Sequence, residues 1–279
     1  MSNLTSTLTQ LEPSNLIRLL ADEIDAGKFD QALADGERLL DQTQKMGILL
    51  SYGVSRVYLA NLFLELNQID HAEEHADKAT QSFEQMATTD WKWWGVGIKG
   101  RIDLARRRIE HARASLTPLW SQGTEPQNSL VSFVFAGPAI AELAMQERRI
   151  DEGLKFCNWL LSGYNREEAW NYAAGIRYHR ARFLLARGDT TTAEDDLTRA
   201  RETAEHAENR VLLWRIDAAL ALLYTQCGEP ARAAEPRHRA IELVHAIVIK
   251  ISDETLRHSF MHHPDVVSAL GLLKFDEDH

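Results

Sequence analysis

Two short strings in this sequence have the spacing of known binding or catalytic motifs. Gly95 to Gly100 reads GVGIKG, the G-x-G-x-x-G order in which glycines let a strand-to-helix turn approach a pyrophosphate. No strand pattern precedes it, so helix packing is the favoured role for these glycines. His71 to His75 reads HAEEH, and histidines four apart share one face of a helix, as inverted zinc peptidases require. No acidic third ligand is identifiable downstream, so a solvated helix face is expected. His258, His262 and His263 crowd together just before Pro264, a helix breaker that suits an ordinary chain end. Cys157 and Cys227 belong to no CxxC pair and have no adjacent histidine, which removes a thiolate zinc site and a Cys–His nucleophile from consideration. No G-x-S-x-G elbow occurs, and the carboxylates spread along helix faces instead of converging. The expectation is a protein that is no enzyme, with no catalytic residue, metal or cofactor.

Charge and composition narrow the partners. A formal net charge of -10 repels polyphosphates and anionic membrane surfaces, so direct nucleic-acid and membrane binding are not expected. Two cysteines without a disulfide framework fit a reducing cytoplasm. The N-terminal MSNLTSTLTQLEP lacks a basic start and an apolar run, and no uncharged stretch approaches the roughly 20 residues of a membrane span.

The elements that must position any site come from an internal repeat. Six stretches, AGKFDQAL, LNQIDHAE, ARRRIEHA, QERRIDEG, ARGDTTTA and QCGEPARA, end in the small residues Ala32, Ala72, Ala112, Gly153, Ala193 and Ala233, at steps of 40, 40, 41, 40 and 40. Ala60, Gly100, Ala141, Ala181 and Ala221 form a second column, and Leu39, Ala79, Leu119, Leu160, Ala200 and Ala240 a third. Short side chains at such columns let two antiparallel helices cross closely. Large apolar residues at helical spacing lie between them, as in Val57, Leu59, Phe63 and Leu66, and strand alternation is absent. Gly27, Gly188 and Gly228 stand where a first helix must stop.

A small residue, then G-x-F/I, then another small residue three further on resembles the tetratricopeptide repeat, most clearly in LANLFLELNQIDHAEEHADKA and HRARFLLARGDTTTAEDDLTRA. The longer period is similar to that of MalT-type regulators and signalling-ATPase sensor domains. The resemblance implies an all-α fold, a right-handed superhelical solenoid of six helical hairpins in a single domain over 1–279. Its repeats fall at about 13–50, 51–90, 91–130, 131–168, 169–208 and 209–250. A capping helix follows at 251–275, with Leu256, Phe260, Val267 and Leu270 on its apolar face. Gly36 and Arg237 depart from an apolar column, and Pro236 sits inside the last second helix, so the first and sixth repeats are expected to be irregular.

In such an array the first helices line a concave groove. The residues just after the second small column, Asn61, Arg101, Glu142 and Arg182, point there, with Tyr58, Trp94, Tyr178 and His179 supplying aromatic area. The first helices of repeats three and five are basic (Lys92, Lys99, Arg101, Arg106; Arg177, Arg180, Arg182, Arg187) and second helices acidic. The implied function is an adaptor that binds an extended acidic segment of another protein through arginine forks. The alternative is a ligand- or peptide-controlled sensor acting on a second protein. Homo-oligomerisation is left open. Because the arginines are read as exposed, reversing Arg101 and Arg182 to glutamate is expected to leave the fold intact.

Overall fold

Six turns set the architecture. In the computed structural model, which describes residues 13–86, 91–122, 132–164 and 170–271, Gly27, Asn67, Arg107, Arg148, Gly188 and Gly228 all have left-handed φ, from 57° to 86°. Each ends a helix with the same pair of bonds: the amide of Lys28 donates to the Glu23 carbonyl at 2.9 Å and that of Gly27 to Ile24 at 3.0 Å. The equivalent pair recurs at the other five positions. This Schellman closure satisfies two orphaned carbonyls and reverses the chain within three residues. Glycine takes the conformation cheaply; Asn67, Arg107 and Arg148 take it at a cost of roughly 1 kcal/mol each.

Around these turns the chain folds into pairs: α1 (Pro13–Asp25) with α2 (Phe29–Met46), α3 (Leu49–Glu65) with α4 (Ile69–Glu84), α5 (Lys92–Ala105) with α6 (Ile109–Gln122), α7 (Phe133–Gln146) with α8 (Ile150–Tyr164), α9 (Trp170–Arg187) with α10 (Thr190–His206), and α11 (Arg210–Gln226) with α12 (Pro230–Val248). Two short helices follow, α13 (Glu254–Met261) and α14 (Pro264–Gly271), and there is no strand among the described residues.

Crossing points explain the small columns. Ala32, Ala72, Ala112, Ala193 and Ala233 are fully buried, as are Ala60, Ala141 and Ala221. At Gly153 and Gly100 even a methyl group is excluded: a Cβ at Gly153 would overlap the Phe183 ring, and one at Gly100 would sit 2.9 Å from the Leu116 methyls. Gly36 is explained the same way, because the Leu59 side chain fills its place. Pro236 does not interrupt α12, which runs from Pro230 to Val248, and it is Pro236 that is buried. Arg237 swings out to donate to the Thr225 hydroxyl at 3.3 Å, so the expected irregularity of the last repeat is absorbed without breaking the helix.

The row of pairs returns on itself. Each of α1, α3, α5, α7, α9 and α11 packs against the next, and α11 packs against α1. One continuous core joins Leu16, Leu20 and Ile24 of the first helix to Val211, Trp214, Val244 and Ile247 of the last pair. Gly27 belongs to this seam, since a Cβ there would lie 2.6 Å from Ile247. Across the same seam Asp30 accepts from the Ser252 amide at 2.8 Å.

The C-terminal segment therefore does more than cover the last pair. Phe260 packs edge-on against Phe29 at 5.7 Å, and the Ser259 hydroxyl donates to the Asn67 carbonyl at 3.1 Å. One cap residue is corrected: Val266 is buried and Val267 half exposed, because the break at His262 and Pro264 rotates α14 out of register with α13. The 123–130 joint and residues 272–275 of the expected cap lie outside the described residues.

Candidate functional site

The inner helices place side chains at equivalent points of successive pairs, so a polar residue in that column meets its counterpart one repeat away. Arg101 on α5 donates through Nη1 to the Asn61 side-chain carbonyl on α3 and through Nη2 to Glu65 at 3.1 Å. Arg182 on α9 donates to Glu142 on α7 at 2.6 Å. Arg215 on α11 donates to Glu65 at 2.7 Å and to Asp265 on α14 at 3.2 Å. The result is a continuous ladder, Asn61–Arg101–Glu65–Arg215–Asp265, spanning four helices.

Electrostatics follow from this pairing. Glu65 is only 8% exposed, and that burial opposes its charge, but Arg215 and Arg101 outweigh it and hold the carboxyl down to about 2. Glu142 is likewise held below the usual range by Arg182, against its own burial. His179 is pushed down to about 3 by burial and by Arg182, so it is a neutral imidazole at physiological pH. Arg182 also lies over the Tyr178 ring, 5.7 Å from its centre.

The structure brings together Asn61, Arg101, Glu142, Tyr178, His179 and Arg182, all partly accessible on the inner side. Trp94 does not join them. At 6% exposure it is core, packed edge-on against Phe135 at 5.0 Å and Tyr58 at 6.0 Å, because its place on the first turn of α5 faces the neighbouring pair. Tyr58 keeps part of its surface but leans on Trp94 and Phe135.

The sorted charge is corrected too. The basic first helices are neutralised by the acidic second helices beside them: Lys99 pairs with Asp77 at 2.6 Å, Arg106 with Glu73 at 2.7 Å, and Arg180 with the fully buried Asp196 at 2.5 Å. Inside the ring Arg101, Arg182 and Arg215 are matched by Glu65, Glu142 and Asp265, so this face is polar and compensated instead of openly basic. Charge reversal at Arg101 and Arg182 would set new carboxylates against Glu65 and Glu142, which makes it a test of stability as well as binding. Glutamine is the gentler probe.

Sequence reasoning missed Glu65, Arg215 and Asp265. Glu65 lies one turn after Asn61 on the same face, and Arg215 precedes Leu222, the α11 position forty residues after Arg182, by seven residues, also on one face; that spacing could have found both. Asp265 stands outside the repeat and had no such signal.

The motif strings behave as packing. Gly95 to Gly100 lies within α5, and a Cβ at Gly97 would sit 2.7 Å from the Ala136 Cα. His71 and His75 rest against Phe63 at 5.1 and 5.3 Å, and burial, then Arg56, pushes His75 down to about 4. Among the described residues no group of three potential metal ligands converges, and no helix is long and apolar enough to cross a membrane.

These features define an all-helical protein of packed pairs with a polar, ion-paired inner face. No protein-family model matches the sequence, and no curated protein matches it. Among solved structures, BtubC (BKLC) from P. vanneervenii has a similar, helical-repeat-like fold, with a TM-score of 0.56 over 78% of this chain and 92% of that one. Sequence identity is 13%, so the likeness concerns the fold alone.

Proposed function

We propose that the chain is a protein–protein interaction scaffold: a right-handed superhelical solenoid of six tetratricopeptide-like hairpins that holds an extended, acidic partner segment against its inner helices. The observation that carries this reading is the pair Arg101 and Arg182, about 30% accessible and held by a carboxylate or amide one repeat away. Packing alone does not call for arginine there. A partner carboxylate exchanging with Glu142 on Arg182 replaces one charge-assisted hydrogen bond by another, while the face of Tyr178 offers apolar area. Since the inner arginines are already matched, orientation and register gain more from these contacts than net attraction does. Two cysteines that form no disulfide fit a cytoplasmic setting.

Capture from an extract of the source cell, with wild type beside Arg101→Gln/Arg182→Gln and identification by mass spectrometry, tests the reading. A partner retained by wild type and lost from the variant is the expected result; identical partner sets count against the inner face.

A second reading, a ligand- or peptide-controlled regulator of another protein, draws on the seam between first and last pairs. A ligand that favours one spacing of that seam shifts both pairs together.

A further inference from the structure

The ion pairs of the inner face connect helices of the repeated hairpins, with one exception. Asp265 comes from α14, outside the 40-residue period, and reaches Arg215 at 3.2 Å. Its charge also acts on Arg182 and Tyr178, and α14 packs against α11 and α12 of the last pair with its carboxylate on the inner arginine Arg215. Burial there works against the charge of Asp265, yet Arg215 and His263 hold the carboxyl below its usual range. Val266 and Ala269 seat α14 in the same core that holds Phe260 of α13, and Leu270 packs at its edge, while Val267 points to solvent. Between the two helices runs the joint His262–His263, where α13 ends.

We propose that α14 is an internal plug: Asp265 occupies the place that a carboxylate of the partner segment takes, and partner and α14 compete for Arg215 and Arg182. This rests on the acidic-segment reading and adds a regulatory consequence to it. The arrangement suits exchange because the Asp265 side chain is 54% exposed while its arginine is 13% exposed. The guanidinium stays in place, held from behind by Glu65, and only the outer carboxylate needs to leave. Displacing Asp265 releases α14 and uncovers Val266 and Ala269, a surface present only in the partner-bound state.

The probe is fluorescein-labelled hexaglutamate, read by anisotropy on the full chain, with hydrogen exchange followed across Val266–Gly271. Asp265→Asn keeps the shape of α14 and removes the competing charge; it should bind the peptide at least about fivefold more tightly than wild type. At saturating peptide the α14 amides should lose protection in wild type. Arg182→Gln, which leaves the Glu65–Arg215 pair intact, should weaken binding in both backgrounds. Binding by Asp265→Asn no tighter than wild type, or α14 fully protected at saturation, overturns the plug. If Arg101→Gln/Arg182→Gln abolishes binding at the same time, the interaction reading stands without it. Absence of binding in both wild type and Asp265→Asn overturns the two together.

Discussion

Glu23 provides the sharpest test of the first pair. It is 2% exposed, and no amide, hydroxyl or cationic group donates to either carboxyl oxygen, so only a proton shared with Asp35 can bridge it to a neighbour. Asp35, 6% exposed, lies beside it on α2 and is itself paired with Arg38 at 3.0 Å. Burial, then the negative charge of Asp35, pushes Glu23 from an ordinary 4.5 up to about 7. The folded-state value lies above the unfolded one, so the folded chain keeps its proton longer. Below about pH 4.5 both states are protonated and the chain suffers no penalty. Between 4.5 and 7 the unfolded state releases its proton first and stability falls; above 7 the loss is complete. At about 1.4 kcal/mol per pH unit this span is worth about 3–4 kcal/mol, and sharing of the proton with Asp35 lowers the figure to about 2–3 kcal/mol. Glu23→Gln keeps the volume and removes the charge. In urea unfolding the variant should exceed wild type by about 2–3 kcal/mol at pH 8, with the gap closing toward pH 4.5. Equal stability at pH 8, or a gap that widens on acidification, would refute the reasoning.

Four further substitutions probe the helix crossings and turns by thermal melting. Gly153→Ala should cost about 1–3 kcal/mol through overlap with Phe183, whereas Gly175→Ala, with nothing within 4 Å of its Cβ, should be neutral or gain up to about 1 kcal/mol; equal effects would deny the close crossing. Arg107→Gly, at a left-handed turn position with φ 59°, should stabilise by about 0.5–1 kcal/mol, and a loss would mean that the Arg107 side chain matters more than its backbone. Ala72→Arg should cost about 3–5 kcal/mol by burying an unpaired charge at a fully enclosed position; an unchanged melt would overturn the repeat register.

The helices and crossings were legible because their causes are local and periodic. Ala72 and Gly153 are small for one reason, and that reason recurs every forty residues. The left-handed turns at Asn67, Arg107 and Arg148 were hidden, since nothing in an arginine announces positive φ; only their place in the forty-residue register marked by Gly27, Gly188 and Gly228 does. Trp94 misled because an aromatic at the start of an inner helix serves core and groove equally well in sequence. The groove's charge misled for a different reason. A column of arginines reads as basic until the carboxylates that meet it, Glu65 from the second pair and Asp265 from beyond the repeats, are placed in space. Closure of the ring was not legible at all: it depends on the cumulative angle between pairs, which Val211, Trp214 and Ile247 accommodate without any local signature.

The central claim, that the inner face holds an acidic segment through Arg101 and Arg182, is tested most directly by titrating labelled hexaglutamate against wild type, Arg101→Gln/Arg182→Gln and the outer-face variant Glu74→Gln, each checked for native melting. The account predicts binding that weakens at least about tenfold in the arginine variant, the loss of two charge-assisted contacts, and stays near wild type in Glu74→Gln. Binding that ignores the arginine substitutions but falls in the outer-face variant would place the functional surface on the outside of the ring and contradict the account.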